Sequence, residues 1–199
     1  MFAKRLKPLI LPLALSPLMA GCAAPLEPIS VTRFHDEAHE FTMEQTIAVM
    51  PAPGEQDSLE LAPYIAAVRT VLQREGYAAT NAGQYRVEVR MRRDIWQPGK
   101  DRNPVSVGVG GSTGSYGSGL GVGVGIDLSG PPPEQATTQL SVVIRDIATG
   151  LSIWEGRANQ RVPRKSPLAM PETSARLLAD ALFMDFPGEN GESFTVKQK

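Results

Sequence analysis

The chain has 199 residues, 42% of them hydrophobic and 21% charged, with 20 basic side chains against 21 acidic ones. The apolar content suits one folded domain with a core and excludes a disordered chain. A formal net charge of -1 and a single Cys exclude non-specific nucleic-acid binding and a disulfide framework.

Residues 1–21 read as an address. Lys4, Arg5 and Lys7 precede an apolar run from Leu9 to Met19, which has signal-peptide length and falls well short of the ~20 residues a spanning helix needs. The run closes on Leu18-Met19-Ala20-Gly21-Cys22. That segment resembles the lipobox of bacterial lipoproteins, with Met19 where Leu is usual, and the resemblance implies a diacylglyceryl thioether and an N-acyl group on Cys22. Ala23 rather than Asp follows, which by resemblance to enteric lipoproteins implies the outer membrane. Cleavage would take away 21 residues and three positive charges and leave no free thiol, so thiol-nucleophile and cysteine–metal chemistry are not expected. Residues 22–30 are then a lipidated tether with Pro25 and Pro28, at ~3.3 Å per residue too short to carry the domain far from its membrane.

From there the periodicity changes several times. Val31–Phe34 and Thr46–Met50 predict short strands, the second ended by Pro51-Ala52-Pro53-Gly54. Ser58–Glu75 predicts an amphipathic helix with Leu61, Tyr64, Ile65, Val68 and Leu72 on its inner face, an Asp57/Glu60 capping pair, and Gly76 as its stop. Tyr85, Val87, Val89 and Met91 alternate with Arg86, Glu88, Arg90 and Arg92, the period-two pattern of a half-buried strand. Val105 to Gly130 holds ten of the 19 glycines. Within it Val105, Val107 and Val109, then Leu120, Val122, Val124, Ile126 and Leu128, fall at every second position, which fits a hairpin or a loop extending two strands. Leu140–Ile144 and Leu151–Val162 predict a second hairpin turning at Asp146–Gly150, and Pro171–Asp185 a closing helix with Leu178, Ala181 and Leu182 inward.

The expected organisation is a signal peptide (1–21), a lipidated tether (22–30), an α+β domain (31–186) carrying a glycine-rich insertion (98–133), and a polar tail (187–199). The expected fold is α+β, a single mixed or mostly antiparallel sheet with two helices packed on one face, plus the glycine-rich hairpin or loop.

The lipobox at Cys22, Val31-Thr32-Arg33-Phe34, the Thr46–Met50 strand with Pro51, Leu72 with Gly76-Tyr77, the Gly-x-Gly middle, and Trp154-Glu155-Gly156-Arg157 before a closing helix together resemble the bacterial lipoproteins grouped as domain of unknown function 4136. The resemblance spans about residues 29 to 186 and implies location and fold class; it implies no chemistry.

Candidate sites are sparse. Gly110-Gly111-Ser112-Thr113-Gly114 matches a nucleophile elbow in letters only, because both histidines precede it and no helix follows. His35 and His39 lie four apart in what reads as a solvated loop. No catalytic residue, no metal ligand and no cofactor beyond the covalent lipid on Cys22 is expected. From Ala23 to Glu60 eight acids stand against Arg33 alone. Beyond them Arg86, Arg90 and Arg92 share one strand face, and Arg157, Arg161, Arg164 and Lys165 follow another strand. Such rows read either as the solvated side of a sheet or as a surface for lipid phosphates or an acidic partner.

The functional expectation is a non-enzymatic, membrane-anchored lipoprotein of a Gram-negative envelope, facing the periplasm and binding or scaffolding envelope components. Its partners would be the membrane through the anchor, an envelope protein or further copies of itself, and no nucleic acid. The alternative is a self-assembling or membrane-contacting protein using Val105, Val107, Val109, Val122, Val124 and Ile126, and a more remote one is an envelope hydrolase using Asp36 or Glu37.

Overall fold

The computed structural model describes residues 26–198 apart from 43, 57, 99–104, 115–116 and 127–131. Among the described residues nine strands and two α-helices run in the order β1 (Ile29–His35), β2 (Thr46–Pro51), α1 (Ala62–Arg74), β3 (Ala78–Ala79), β4 (Tyr85–Trp96), β5 (Val105–Gly114), β6 (Gly117–Ile126), β7 (Gln135–Asp146), β8 (Ser152–Pro163), α2 (Pro171–Leu182) and β9 (Ser193–Val196). Seven strands form one sheet in the order β3-β2-β4-β7-β8-β1-β9. β2 pairs parallel with β3 and β4, and the other neighbours are antiparallel. The fold is α+β around a mixed sheet.

Strand alternation sorts the sheet into two faces. Val31, Val49, Val87, Leu140 and Ala158 are buried on one of them. Both helices cover that face, α1 over β2, β3 and β4 and α2 over β7, β8 and β1, with the two helices packed against each other. Tyr64, Val68, Val71 and Leu72 of α1 and Leu178, Ala179 and Leu182 of α2 close the core.

Three differences from the sequence expectations have physical causes. The first helix starts at Ala62, not Ser58: residues 58–61 form a turn in which the Leu61 N–H donates to Ser58 Oγ at 3.2 Å, and Pro63 occupies the first helical turn, where a missing N–H costs nothing. The expected capping residue Asp57 lies outside the described residues. Gly76, at φ +99°, does end the helix. The long strands extend further than their apolar alternation, β4 to Trp96 and β7 back to Gln135, because the β4–β7 ladder pairs all twelve residues of each.

The polar tail is the third correction, because residues 193–196 form an edge strand on β1. Arg33, 3% exposed on the helix-covered side of β1, holds this end together. Its Nε donates to Glu192 Oε1 at 2.6 Å, Nη1 donates to the carbonyls of Leu182 and Met184, and the guanidinium lies 4.9 Å from the Phe194 ring centre. A cation at the C-terminal end of α2 also complements the helix dipole.

The glycine-rich segment forms an antiparallel ladder of its own, β5 with β6. Its register sets Val105 opposite Ile126, Val107 opposite Val124 and Val109 opposite Val122, so the apolar positions of one strand meet those of the other. Leu128 lies outside the described residues.

Candidate functional site

The sheet face opposite the helices carries the cationic rows. Alternation along β4 turns Arg86, Arg90 and Arg92 to this side, and β8 adds Arg157 and Arg161. Register converts the separate sequence rows into one surface: Arg90 pairs with Ser141, which pairs with Arg157, which pairs with Thr32. Arg92 pairs with Gln139, which pairs with Asn159. At about 4.8 Å per strand, the Arg90 and Arg157 backbones stand about 10 Å apart with Ser141 between them, a separation two guanidinium arms can bridge.

A groove of about 300 Å³ crosses this surface, lined among others by Thr32, Arg90, Arg92, Gln139, Ser141 and Arg157, with one carboxylate, Glu155, whose Oε1 accepts from Ser152 Oγ at 2.9 Å. Its floor is polar and ordered, since Gln139 Nε2 donates to Asn159 Oδ1 at 2.9 Å and the hydroxyls of Thr32 and Ser193 lie 2.9 Å apart. Exposed Phe34 forms one wall.

The arginines are not equivalent. Arg90 is fixed from behind: Nε donates to Glu55 Oε1 at 2.7 Å and Nη2 to the Pro53 carbonyl at 3.1 Å. Arg145 Nε and Arg86 Nη1 stand 3.2 and 3.9 Å from the carboxylate of Glu88, which is 4% exposed. Arg161 reaches Glu27 at 3.6 Å and Arg164 reaches Glu134 at 2.8 Å, both beyond the groove. Arg157 has no ion pair with a carboxylate among the described residues. A planar guanidinium fork matches carboxylate and phosphate oxygens in pairs, so the arrangement suits an anionic group laid across Ser141.

The other sequence candidates do different things. His35 Nε2 donates to the Gly188 carbonyl at 3.2 Å, whereas His39 shares a 3.1 Å hydrogen bond with Tyr85 Oη and packs edge-on against Phe41. Among the described residues no cluster of His, Cys, Asp and Glu is arranged to hold a metal ion. Asp36 closes a turn by accepting from the Ala38 N–H, and Glu37 accepts from Asn190. Cys22 lies outside the described residues.

Shifted titrations belong to the helix-covered side and to the chain's C-terminal end. Burial first, then Tyr85 and Glu75, pushes the Tyr77 hydroxyl up to about 12. Burial likewise raises Tyr64, whose buried hydroxyl has no partner in hydrogen-bond geometry among the described residues, although Ser174 and Thr138 adjoin it. The hydrogen bond from Arg33, then that from the Glu189 backbone, holds Glu192 below its ordinary value.

Sequence reasoning missed a polar group inside the core: Ser174 Oγ donates to Gln160 Oε1 at 2.6 Å, and Gln160 Nε2 donates to Gln198 at 2.7 Å. The signal was Gln160 falling at an inward position of an otherwise apolar alternation.

Fold and surface define a class: an α+β domain whose seven-stranded sheet carries two helices on one face and an arginine-lined groove on the other. Residues 31–188 match the family described as "Domain of unknown function (DUF4136)", and the chain belongs to that family. No curated protein sequence matches significantly. Among solved structures, a PDZ domain protein from Parabacteroides distasonis is similar at 11% identity with a TM-score of 0.51, covering 86% of this chain and 39% of that one. The chain thus spans about two fifths of that protein, and the likeness is one of fold. A PelC dodecamer from Paraburkholderia phytofirmans aligns at 12% identity with a TM-score of 0.41, over 76% of this chain and 95% of that one.

Proposed function

We propose that the protein is a non-enzymatic lipoprotein of the bacterial envelope, anchored in the outer membrane through Cys22 and facing the periplasm, and that its open sheet face holds an anionic envelope component. The observation that carries the reading is the row Arg90–Ser141–Arg157, in which two cations flank a neutral hydroxyl, beside Arg92–Gln139–Asn159, in which a third cation adjoins two amides, across a groove of about 300 Å³. The lipobox sequence supports the location.

The test is site-specific photocrosslinking in intact envelopes from position 141, with and without the charge reversals Arg92→Glu and Arg157→Glu. The expected product disappears on charge reversal while the protein level holds, and identical products with both charges reversed would refute the binding face. The anchor is tested separately: Cys22→Ala is expected to release the protein into the soluble periplasmic fraction and to abolish fatty-acid labelling.

A second reading rests on the β5–β6 ladder. Among the described residues it is a sheet of only two strands, and unpaired strand edges are templates for pairing with another chain. Self-assembly through this hairpin predicts that deleting residues 103–130 lowers the oligomer size.

A further inference from the structure

The tether, the glycine-rich hairpin and an exposed tryptophan all belong to the same end of the seven-stranded sheet. Trp96, the last residue of β4, pairs with Gln135, the first of β7, and Gln135 pairs with Pro163, the last of β8. These three form one row across the sheet. Ser30 pairs with Asn159, so the chain before Ile29 runs on toward that same row. Glu27 is held there, its carboxylate 3.6 Å from Arg161 and its carbonyl accepting from Gln198. In chain order β5 and β6 lie between Trp96 and Gln135, so the hairpin also departs from and returns to this end.

The surface at this end is unlike a solvated strand terminus. Trp96 and Ile95 are each 47% exposed and Leu26 is 42% exposed. Next to them a cleft of about 270 Å³ is walled by Pro132, Pro133 and Pro163 and rimmed by Lys165 and by Arg164, which is paired with Glu134 of the same rim at 2.8 Å. Large apolar and amphipathic side chains beside basic ones suit the boundary between hydrocarbon and head groups. Indole rings collect there, and long cationic side chains reach out of it.

Chain length selects which end meets the membrane. Three residues separate Cys22 from Leu26, four Cα–Cα steps with a reach of no more than about 14 Å. β4 and β7 have twelve residues each, about 40 Å of strand. A lipid on Cys22 therefore holds the Trp96 end near the bilayer, and the Asp146 turn at the opposite end lies far beyond the tether's reach.

We propose that this end of the sheet rests on the membrane that carries the Cys22 lipid, with Trp96 and Ile95 seated in the interfacial layer and Lys165 directed at head-group phosphates. The inference rests on the lipoprotein reading above. It makes the lipid one of two attachments, and it stands the arginine groove upright, opening sideways along the bilayer.

The chain has two tryptophans, and the second, Trp154, is 1% exposed and stacked on Phe183, so Trp96 is a native reporter. The lipidated protein is reconstituted into phosphatidylethanolamine–phosphatidylglycerol vesicles in which a share of the acyl chains is brominated near the head group. Its emission is compared with that of Trp96→Phe, and the mass of the Cys22 peptide is measured in the same preparation. The expected result is loss of most of the emission that Trp96 contributes, with the Trp154 emission remaining in Trp96→Phe unchanged by bromination. Lipid on Cys22 with equal emission on brominated and plain vesicles would overturn this inference alone. An unmodified Cys22 would overturn the lipoprotein reading and this inference with it.

Discussion

Replacing Gly156 with Ala tests the packing that joins β8 to α2. Gly156 faces the helices and is followed two residues later by buried Ala158. A Cβ built on it would stand 2.8 Å from Leu182 Cδ1 and 2.9 Å from Trp154 Cζ3, and closer still to Cη2 of the same indole. The ring cannot swing clear. Phe183 stacks on it with centroids 5.1 Å apart and planes 16° apart, and its Nε1 donates to the Pro187 carbonyl at 3.1 Å. Overpacking of this kind costs about 1–3 kcal/mol, and the better strand preference of Ala returns about 0.5–1 kcal/mol. The net loss of about 1.5 kcal/mol corresponds to a Tm lower by about 3–6 °C for a domain of this size. Urea unfolding with near-UV circular dichroism reads both the stability and the stacked pair. In a Trp154→Phe background the same substitution should cost less, because the two changes share one contact. Equal stability of Gly156→Ala and the unaltered protein, or an equal cost in both backgrounds, would refute the steric account.

Gly83→Ala should destabilise more than Gly156→Ala, since its Cβ would fall within 2.7 Å of three backbone atoms of Thr46 and Ile47, which cannot move without parting β2 from β4; thermal melts of the two variants rank them. Arg33→Met should lower stability in urea titration, because it removes one of the two donors to Glu192 and the side-chain donor to two carbonyls, and an unchanged unfolding midpoint would contradict the clamp. Glu192 is held below the ordinary carboxylate value of 4.5, so its contribution is present above that value and disappears as the pH falls through the folded one; Glu192→Gln should flatten the acid limb of the stability curve. Tyr77 has a raised pKa, so its contribution is complete below the ordinary phenol value of 10.0 and is lost as the pH climbs toward about 12; Tyr77→Phe should unfold at higher pH, followed by the absorbance of the remaining tyrosinates.

Much of the architecture was legible because burial follows the local period. Tyr85, Val87 and Val89 alternate and are buried, and Tyr64, Val68, Val71 and Leu72 recur at helical spacing, whatever else the chain does. The arginine rows were legible as rows, for the same reason. That they form one groove was not, because β4 and β8 meet only through β7, and adjacency of strands far apart in sequence leaves no periodic trace. Ser193–Val196 escaped notice because two exposed and two half-buried residues have too little apolar content to announce a strand. What makes them one is the edge offered by β1 and the anchor at Arg33, a residue that in sequence was only a lone base among acids.

By itself, then, the sequence determined the fold class, the inner faces of the elements, the Cys22 address as an expectation, and which residue types stand outward on each strand, since each of these depends on neighbours within one or two turns. Tertiary structure alone decided that Arg90, Ser141 and Arg157 share a row, that Arg33 is buried and paired, and that Trp96 stands at the tether's end of the sheet. These are matters of register between segments far apart in the sequence, and register is set by how the whole core closes rather than by any one stretch of chain.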